Sequence, residues 1–293
     1  MRVSVAQSSH LGDRDSNQDR CLIVQHEDAV LLAVADGMGG HARGDLAAEA
    51  CVDSLRRQFL ARDPLQDPAG FLRQAVHQAH RTILAVGRTQ KPPVQPLTTL
   101  VCCLVQDDTA LWAHAGDSRL YLLREGRIFF QTRDHTPVAD LLSSGLIDAR
   151  EARHHRLRNR VSQCLGNPEA PPEISIGPIA FLEAGDVLLL CSDGLWSALA
   201  EERLTGLCDA GQDLAGQLDA LVSEAEGNSY PRSDNVSAVA LRWEGHAATP
   251  AGTDPTPAAR HSDPLQRAIA DIEQAIADYG GEMEPGGEGK DDT

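Results

Sequence analysis

Five apolar runs in this 293-residue chain begin or end beside an aspartate, and that recurrence narrows what the chain can fold into. Asp36 follows the run 31–35, Asp117 follows 111–116 and Asp193 follows 187–192, while Asp19 precedes 20–24 and Asp234 precedes 235–241. Short apolar runs bounded by turn residues read as buried strands. Each places a carboxylate at the mouth of a strand, and Gly37, Gly116 and Gly194 stand beside three of them. One aspartate in such a place is an ordinary turn residue. Five at one sheet edge would repel one another and lose hydration, at a cost that a cation would relieve. Oxygen donors without neighbouring His or Cys suit Mg²⁺ or Mn²⁺ rather than zinc.

Strand-like runs fall at 3–8, 20–25, 30–35, 98–105, 109–115, 119–123, 127–131, 173–179, 187–191 and 236–241. Asp107-Asp108 and Glu125-Gly126 separate neighbours at hairpin distance, which predicts antiparallel pairing. Helical patterns occupy 45–60, 68–86 and 213–225. Strands in meanders with helices in consecutive pairs give an α+β layered domain, sheets inside and helices outside. The polar stretch 134–170, rich in His and Arg, is expected to form a surface flap with two short helices at most. Residues 244–263, rich in Ala, Thr, Gly and Pro, read as a linker. Leu265, Ile269, Ile272 and Ile276 then recur at helical spacing, predicting an amphipathic helix over 264–279 and a disordered acidic end at 280–293.

The net charge of −17 argues against nucleic acid or an anionic membrane as the main partner. The only lysines are Lys91 and Lys290, so no lysine-dependent phosphate loop exists. No apolar run is long enough to span a bilayer. Seven scattered cysteines without C-x-x-C spacing predict reduced, mostly buried thiols and a cytoplasmic protein.

Seven motifs stand in order along the chain. They are residues 12–19 (Gly-Asp-Arg-Asp-Ser-Asn-Gln-Asp), residues 34–41 (Val-Ala-Asp-Gly-Met-Gly-Gly-His), Thr98-Thr99, residues 115–119 (Ala-Gly-Asp-Ser-Arg), Asp134-His135-Thr136, residues 192–196 (Ser-Asp-Gly-Leu-Trp) and Asp234-Asn235. In these the chain resembles the metal-dependent Ser/Thr protein phosphatases of the protein phosphatase 2C type, in their compact bacterial form, over about residues 1–243. The resemblance implies a four-layer αββα sandwich, two central and mostly antiparallel sheets flanked by helices, with a metal cleft at one sheet edge. It implies two Mn²⁺ or Mg²⁺ ions: Asp36 bridging both, the Gly37 carbonyl on the first, Asp193 and Asp234 on the second. Asp19 matches the position that holds metal-bound water. Asp117, with Asp193, matches the pair holding a third, weaker ion. Arg14 matches the arginine that grips the substrate phosphate.

The implied activity is hydrolysis of phosphoserine and phosphothreonine on proteins by direct in-line attack of a metal-bridging hydroxide, opposing a bacterial Ser/Thr kinase, in a monomer. Met38 stands two residues after the bridging aspartate, where eukaryotic relatives often carry His; His41 is an alternative proton donor. Two rival readings are a phosphoprotein-binding pseudophosphatase and a switch phosphatase with a single partner. Asp36, Asp193 and Asp234 are all present, against the first, and no sensor domain is visible, against the second. Cys51 and Arg57 match the C-x₅-R spacing of cysteine phosphatases, but the stretch lies in a helical pattern without a glycine to wrap a phosphate. His77 and His80 share a helix face and read as surface residues rather than metal ligands. The basic end of the flap, at 154–158, is either a contact for acidic or phosphorylated substrates or simply a solubilising surface.

Overall fold

The alternation of side chains along the third strand builds the centre of the molecule. Val30, Leu32 and Val34 point one way into an apolar layer shared with Trp112, Leu188 and Val239. Leu31, Ala33 and Ala35 point the other way, onto Leu55, Phe71 and Leu72. A strand buried on both faces must lie inside a sandwich, because successive residues face opposite sides of a sheet. The structure is a computed structural model and describes residues 1–26, 28–38, 43–61, 66–158 and 160–245. The expectations for His41, for the linker beyond residue 245, for the helix at 264–279 and for the end at 280–293 lie outside these residues.

Two antiparallel sheets stack face to face. One has five strands in the order β1 (Arg2–His10), β12 (Val236–Gly245), β11 (Val187–Cys191), β7 (Arg119–Arg124) and β8 (Arg127–Gln131). The other runs β10 (Ala180–Phe181), β6 (Thr109–Ala115), β5 (Leu100–Gln106), β3 (Ala29–Met38) and β2 (Asp19–His26). Two short strands complete this second sheet, β4 (Leu97–Thr98) against β3 and β9 (Ser175–Ile176) against β6. Helices α1 (Gly44–Leu60) and α2 (Pro68–Thr89) pack on its outer face. The five-stranded sheet is covered by α7 (Leu214–Ser229), with the short helices α5 (Asp193–Trp196) and α6 (Glu201–Leu204). Local signals start the long helices: the Asp67 carboxylate accepts from the Gly70 N–H at 2.9 Å with Pro68 in the first turn, and Asp213 does the same for Gly216 at 2.9 Å. The αββα layering and the antiparallel pairing are as expected.

Four local expectations are corrected. The run 98–105 divides into β4 and β5 at Thr99, whose N–H donates to the Asp36 carbonyl at 2.9 Å. The strand expected over 173–179 shrinks to β9, Ser175–Ile176, whose register against β6 reaches one step further through the Gly177 N–H and the Trp112 carbonyl at 2.9 Å. The flap contains α3 (Pro137–Ser143) and α4 (Ala149–His154), but its far end is not on the surface. Leu165 is fully buried and bridges to Thr98, and the Gly166 N–H donates to His80 Nδ1 at 3.1 Å. His80 is thus a buried structural acceptor rather than a surface residue. All seven cysteines are unpaired, and Cys51 lies buried inside α1 with its thiol pKa pushed up by burial. No helix among the described residues is long and apolar enough to cross a membrane.

Candidate metal centre

β2 and β3 pair so that Asp19 and Asp36 are register partners. The ladder continues one step further, with the Gly37 N–H donating to the Gln18 carbonyl at 3.1 Å. β3 therefore runs past Asp36 to Met38, three residues beyond the strand end expected from its apolar run. Gly37 is required where it stands. A Cβ there would lie 2.3 Å from the Gly44 carbonyl oxygen and 2.6 Å from that of Gln18. The backbone of Asp36 is clamped from the other side: Thr98 Oγ1 donates to its carbonyl at 2.9 Å, and its own N–H donates to Thr99 Oγ1 at 3.3 Å. Thr99 Oγ1 in turn shares a 2.7 Å hydrogen bond with Ser118 Oγ.

The opposing sheet brings the other carboxylates. β11 ends at Cys191, and Asp193 follows as the first residue of α5 rather than as a strand terminus. Asp117 lies on the crossing from β6 to β7. Asp234 precedes β12 and is held by the loop that carries Arg14. The Asp13 N–H donates to the Ser233 carbonyl at 3.0 Å, and the Ser233 N–H returns to the Asp13 carboxylate at 2.8 Å. Asn235 extends the tie, its Nδ2 donating to the Leu11 carbonyl at 2.7 Å and its Oδ1 accepting from the Gln18 N–H at 2.9 Å. Gly12, at φ +62°, lets the loop approach so closely that a Cβ would sit 2.1 Å from the Asp234 carbonyl oxygen. Arg14 Nη2 then donates to Asp234 Oδ2 at 2.6 Å.

Charge is concentrated here. Asp19 and Asp117 are buried, while Asp36 and Asp193 keep a partial opening to solvent. Burial, followed by the charges of Asp19, Asp193, Asp117 and Asp234, holds the Asp36 carboxyl well above the usual carboxylate range. Burial pushes Asp19 up to about 7 against the hydrogen bond from Ser192 Oγ, 2.8 Å from Asp19 Oδ2. Asp117 reaches about 7 through burial and the charge of Asp193. Asp193 reaches about 6 through burial and Asp234, offset in part by Arg14. Each shift marks a carboxyl group whose charged form is disfavoured by burial first and by neighbouring carboxylates second. Among the described residues no three His, Cys, Asp or Glu side chains close on a common point as a finished ion cage; what the five share is one electrostatic field. The donor set fits a hard divalent cation: carboxylate and carbonyl oxygens at the mouth of a cleft, with a charge deficit that a cation would cancel.

The six charged residues singled out in the sequence, Arg14, Asp19, Asp36, Asp117, Asp193 and Asp234, are brought together, with Gly37 beside them. Several supports were not singled out. Ser192 binds Asp19, and Asn235 fastens the Arg14 loop. Arg119 grips Asp134 through two bonds of 2.8 Å while its guanidinium lies 3.6 Å over the Trp196 ring, and Trp196 Nε1 donates to the Asp117 carbonyl at 2.9 Å. All but Thr98, Thr99 and Trp196 lie within one or two residues of a site aspartate or in the short motif at 134–136, but residue types next to a carboxylate do not reveal which way they bond.

The family profile described as Protein phosphatase 2C matches residues 6–226. The Serine/threonine phosphatase stp of Listeria welshimeri is 30% identical over 232 residues, covering 78% of this chain and 90% of that protein. The crystal structure of the Mycobacterium tuberculosis serine/threonine phosphatase PstP/Ppp superposes with a TM-score of 0.72 at 31% identity, covering 83% of this chain and 99% of that one. A structure of the PstP catalytic domain in complex with 2 manganese ions superposes with a TM-score of 0.69 at 30% identity, covering 82% and 97%.

Proposed function

The chain belongs to the protein phosphatase 2C family and is a serine/threonine phosphatase, and from that premise we propose that it hydrolyses phosphoserine and phosphothreonine on proteins with two Mn²⁺ or Mg²⁺ ions. The observation that carries this reading is the Asp36 carboxyl, whose ionised form is disfavoured by burial and by Asp19, Asp193, Asp117 and Asp234 around it, a field that a bound cation would balance. Asp36 would bridge the two ions, the Gly37 carbonyl would bind the first, and Asp193 and Asp234 the second. Asp19, oriented by Ser192, would hold water beside them. Asp117 and Asp193 would take a third, weaker ion. The manganese complex of PstP supports the choice of metal.

When bound, such ions lower the pKa of water and offset charge on the attacking and leaving oxygens. The rest falls to the chain. Arg14, always charged, presents a planar fork to the phosphate oxygens and exchanges its bond to Asp234 for them. The Thr98–Thr99–Ser118 clamp fixes the Asp36 backbone, so positioning costs little when substrate arrives. Met38 cannot give a proton to the departing serine or threonine oxygen, which leaves that task to a solvent proton in the cleft or to His41. The physiological substrates are then phosphoproteins made by a Ser/Thr kinase in the cytoplasm.

The test is p-nitrophenyl phosphate hydrolysis by wild type and Asp193→Asn in EDTA, Mg²⁺ and Mn²⁺. Turnover that needs a divalent ion and collapses in the variant supports the two-ion site. A folded wild type inert with both metals would sink it and favour a phosphoprotein-binding pseudophosphatase.

A further inference from the structure

The flap is a lobe on a narrow stem. Its two feet, His135 and Ser162, are tied to each other where the Ser162 N–H donates to the His135 carbonyl at 2.8 Å. The His135 N–H donates in turn to the Gly116 carbonyl at 2.9 Å, one residue from Asp117. Asp134, beside the same foot, acts electrostatically on Asp117 and Asp193, and Arg14 acts on Asp193 as well. The stem of the flap and the arginine at the cleft therefore border one site.

What the lobe carries is positive charge. Residues 148–160 hold five arginines against two acids, in a chain of net charge −17. Both acids are engaged locally. The Asp148 carboxylate accepts from the Glu151 N–H at 2.7 Å and the Glu151 carboxylate from the Asp148 N–H at 2.9 Å, a capping box that starts α4. Nearer the stem, Asp140 pairs with Arg133 at 2.6 Å. Arg150, Arg156 and Arg160 are exposed and make no ion pair among the described residues. Arg150 shares a face of α4 with His154, four residues on, and Arg160 stands two residues before the Ser162 foot. Cationic side chains gathered without counter-charges repel one another and raise the local potential, which draws anions to that place. The same lobe exposes Leu142 and Leu146, 42% and 71% accessible, apolar surface that solubility does not need.

We propose that this lobe binds carboxylate side chains flanking the phosphorylated residue of the protein substrate, with Arg150, Arg156 and Arg160 as the contacts. A guanidinium presents paired N–H donors that match the two oxygens of a carboxylate. Six extended residues span about 20 Å, so a substrate chain with its phosphate in the cleft has the reach to lay neighbouring acids on a lobe rooted beside Asp117. The arrangement also meets an electrostatic difficulty. An acidic enzyme repels an acidic protein, and a cationic lobe at the border of the site reverses that repulsion locally. The inference rests on the phosphatase reading above and names a substrate preference for it.

Two measurements on the full-length protein separate the two ideas. In the first, backbone amides of ¹⁵N-labelled protein are followed as a tetra-glutamate peptide is added, with tetra-lysine as the control. Amides within 148–160 should shift with tetra-glutamate alone, and should stay in place in the triple variant Arg150→Glu, Arg156→Glu, Arg160→Glu. No shift there, or equal shifts in the variant, overturns the proposal whether or not the protein is active. In the second, phosphothreonine peptides flanked by Glu, Ala or Lys are compared in Mn²⁺. The Glu-flanked peptide should show kcat/KM about tenfold above the Ala-flanked one, the product of three exposed ion pairs of roughly twofold each. Raising NaCl to about 0.5 M should shrink that gap. The triple variant should erase it and leave p-nitrophenyl phosphate turnover unchanged; the milder set Arg150→Gln, Arg156→Gln, Arg160→Gln should narrow it. A flat series, or a preference that survives both sets, overturns the proposal and leaves the arginines as a solubilising surface only. If no phosphate is released from any substrate, the phosphatase reading fails, and the amide titration still decides whether the lobe binds an acidic chain.

Discussion

Asp19 and Asp36 are direct cross-strand partners, two carboxylates facing one another at the rim of the seven-stranded sheet. Like charges in that relationship destabilise a strand pair, and the burial of Asp19 with the partial burial of Asp36 adds to the cost. The molecule carries this conflict in its fold, which makes the aspartates informative targets for stability as well as rate.

Asp36→Asn should therefore stabilise the metal-free protein while abolishing its activity. Relief of about 1 kcal/mol would raise the melting temperature by ~2–4 °C in a domain of this size. Mn²⁺ at a hundredfold excess over its Kd should stabilise the wild type by about 2.7 kcal/mol and the variant hardly at all. Thermal scans in EDTA and in Mn²⁺ check both parts. A variant that melts below wild type in EDTA contradicts the reading of Asp36 as a strained ligand.

Ser192→Ala removes the hydroxyl that donates to Asp19 at 2.8 Å and also accepts from the Ser237 N–H at 3.1 Å. Both partners are then left buried without it. The loss should be about 1–3 kcal/mol in urea unfolding. The Mn²⁺ concentration for half-maximal activity should rise by roughly 10–100-fold, as when a group orienting a ligand is lost. An unchanged metal requirement would remove Ser192 from the site.

Arg14→Ala separates binding from folding. The ion pair with Asp234 is exposed, its two side chains 59% and 42% accessible, so its loss should alter stability by less than about 1 kcal/mol. The same change should lower kcat/KM for p-nitrophenyl phosphate by roughly a hundredfold, the scale of a charged phosphate contact. Steady-state kinetics beside a urea midpoint would show whether the two effects part in this way.

Acid should destabilise the protein through His135. Burial, with His114 and Arg133 adding and Asp140 opposing, lowers its pKa from 6.5 to about 4. The folded state refuses a proton that the unfolded chain accepts, so this contribution is complete above pH 6.5 and is lost as pH falls toward 4. Discounted for partial exposure, the loss is about 1–2 kcal/mol. His135→Asn should flatten the fall between pH 6.5 and 4.5 in urea titrations. An equal slope in variant and wild type would assign the acid sensitivity elsewhere.

Much of this site is visible in the order of residues because strand ends announce themselves: an apolar run, then aspartate and glycine. That pattern located Asp36 and Asp117 without any coordinate. It placed Asp193 just past β11 as well but left unread the one-turn helix that Asp193 opens, Asp193–Trp196, which is too short to leave a periodic signal. The two-residue β10 at Ala180–Phe181 left none either. Leu165 and His80 were misread for another reason. Their burial comes from an irregular segment returning to α2, and a polar surrounding sequence conceals that return. That His114 Nε2 meets the Arg133 carbonyl is likewise a fact of three-dimensional placement alone.

The origin of the carboxylates in both sheets has a mechanical meaning. Asp19 and Asp36 ride on the seven-stranded layer, Asp193 and Asp234 stand two residues beyond β11 and two before β12 of the five-stranded one, and Asp117 lies on the strap between them. Ions held by all of them would rivet the layers together at one rim. Sliding one layer over the other by a fraction of an ångström would then shear the coordination, so turnover becomes a gauge of how the two layers are aligned. Any partner that grips only one layer would have, through that rivet, leverage over catalysis at a distance.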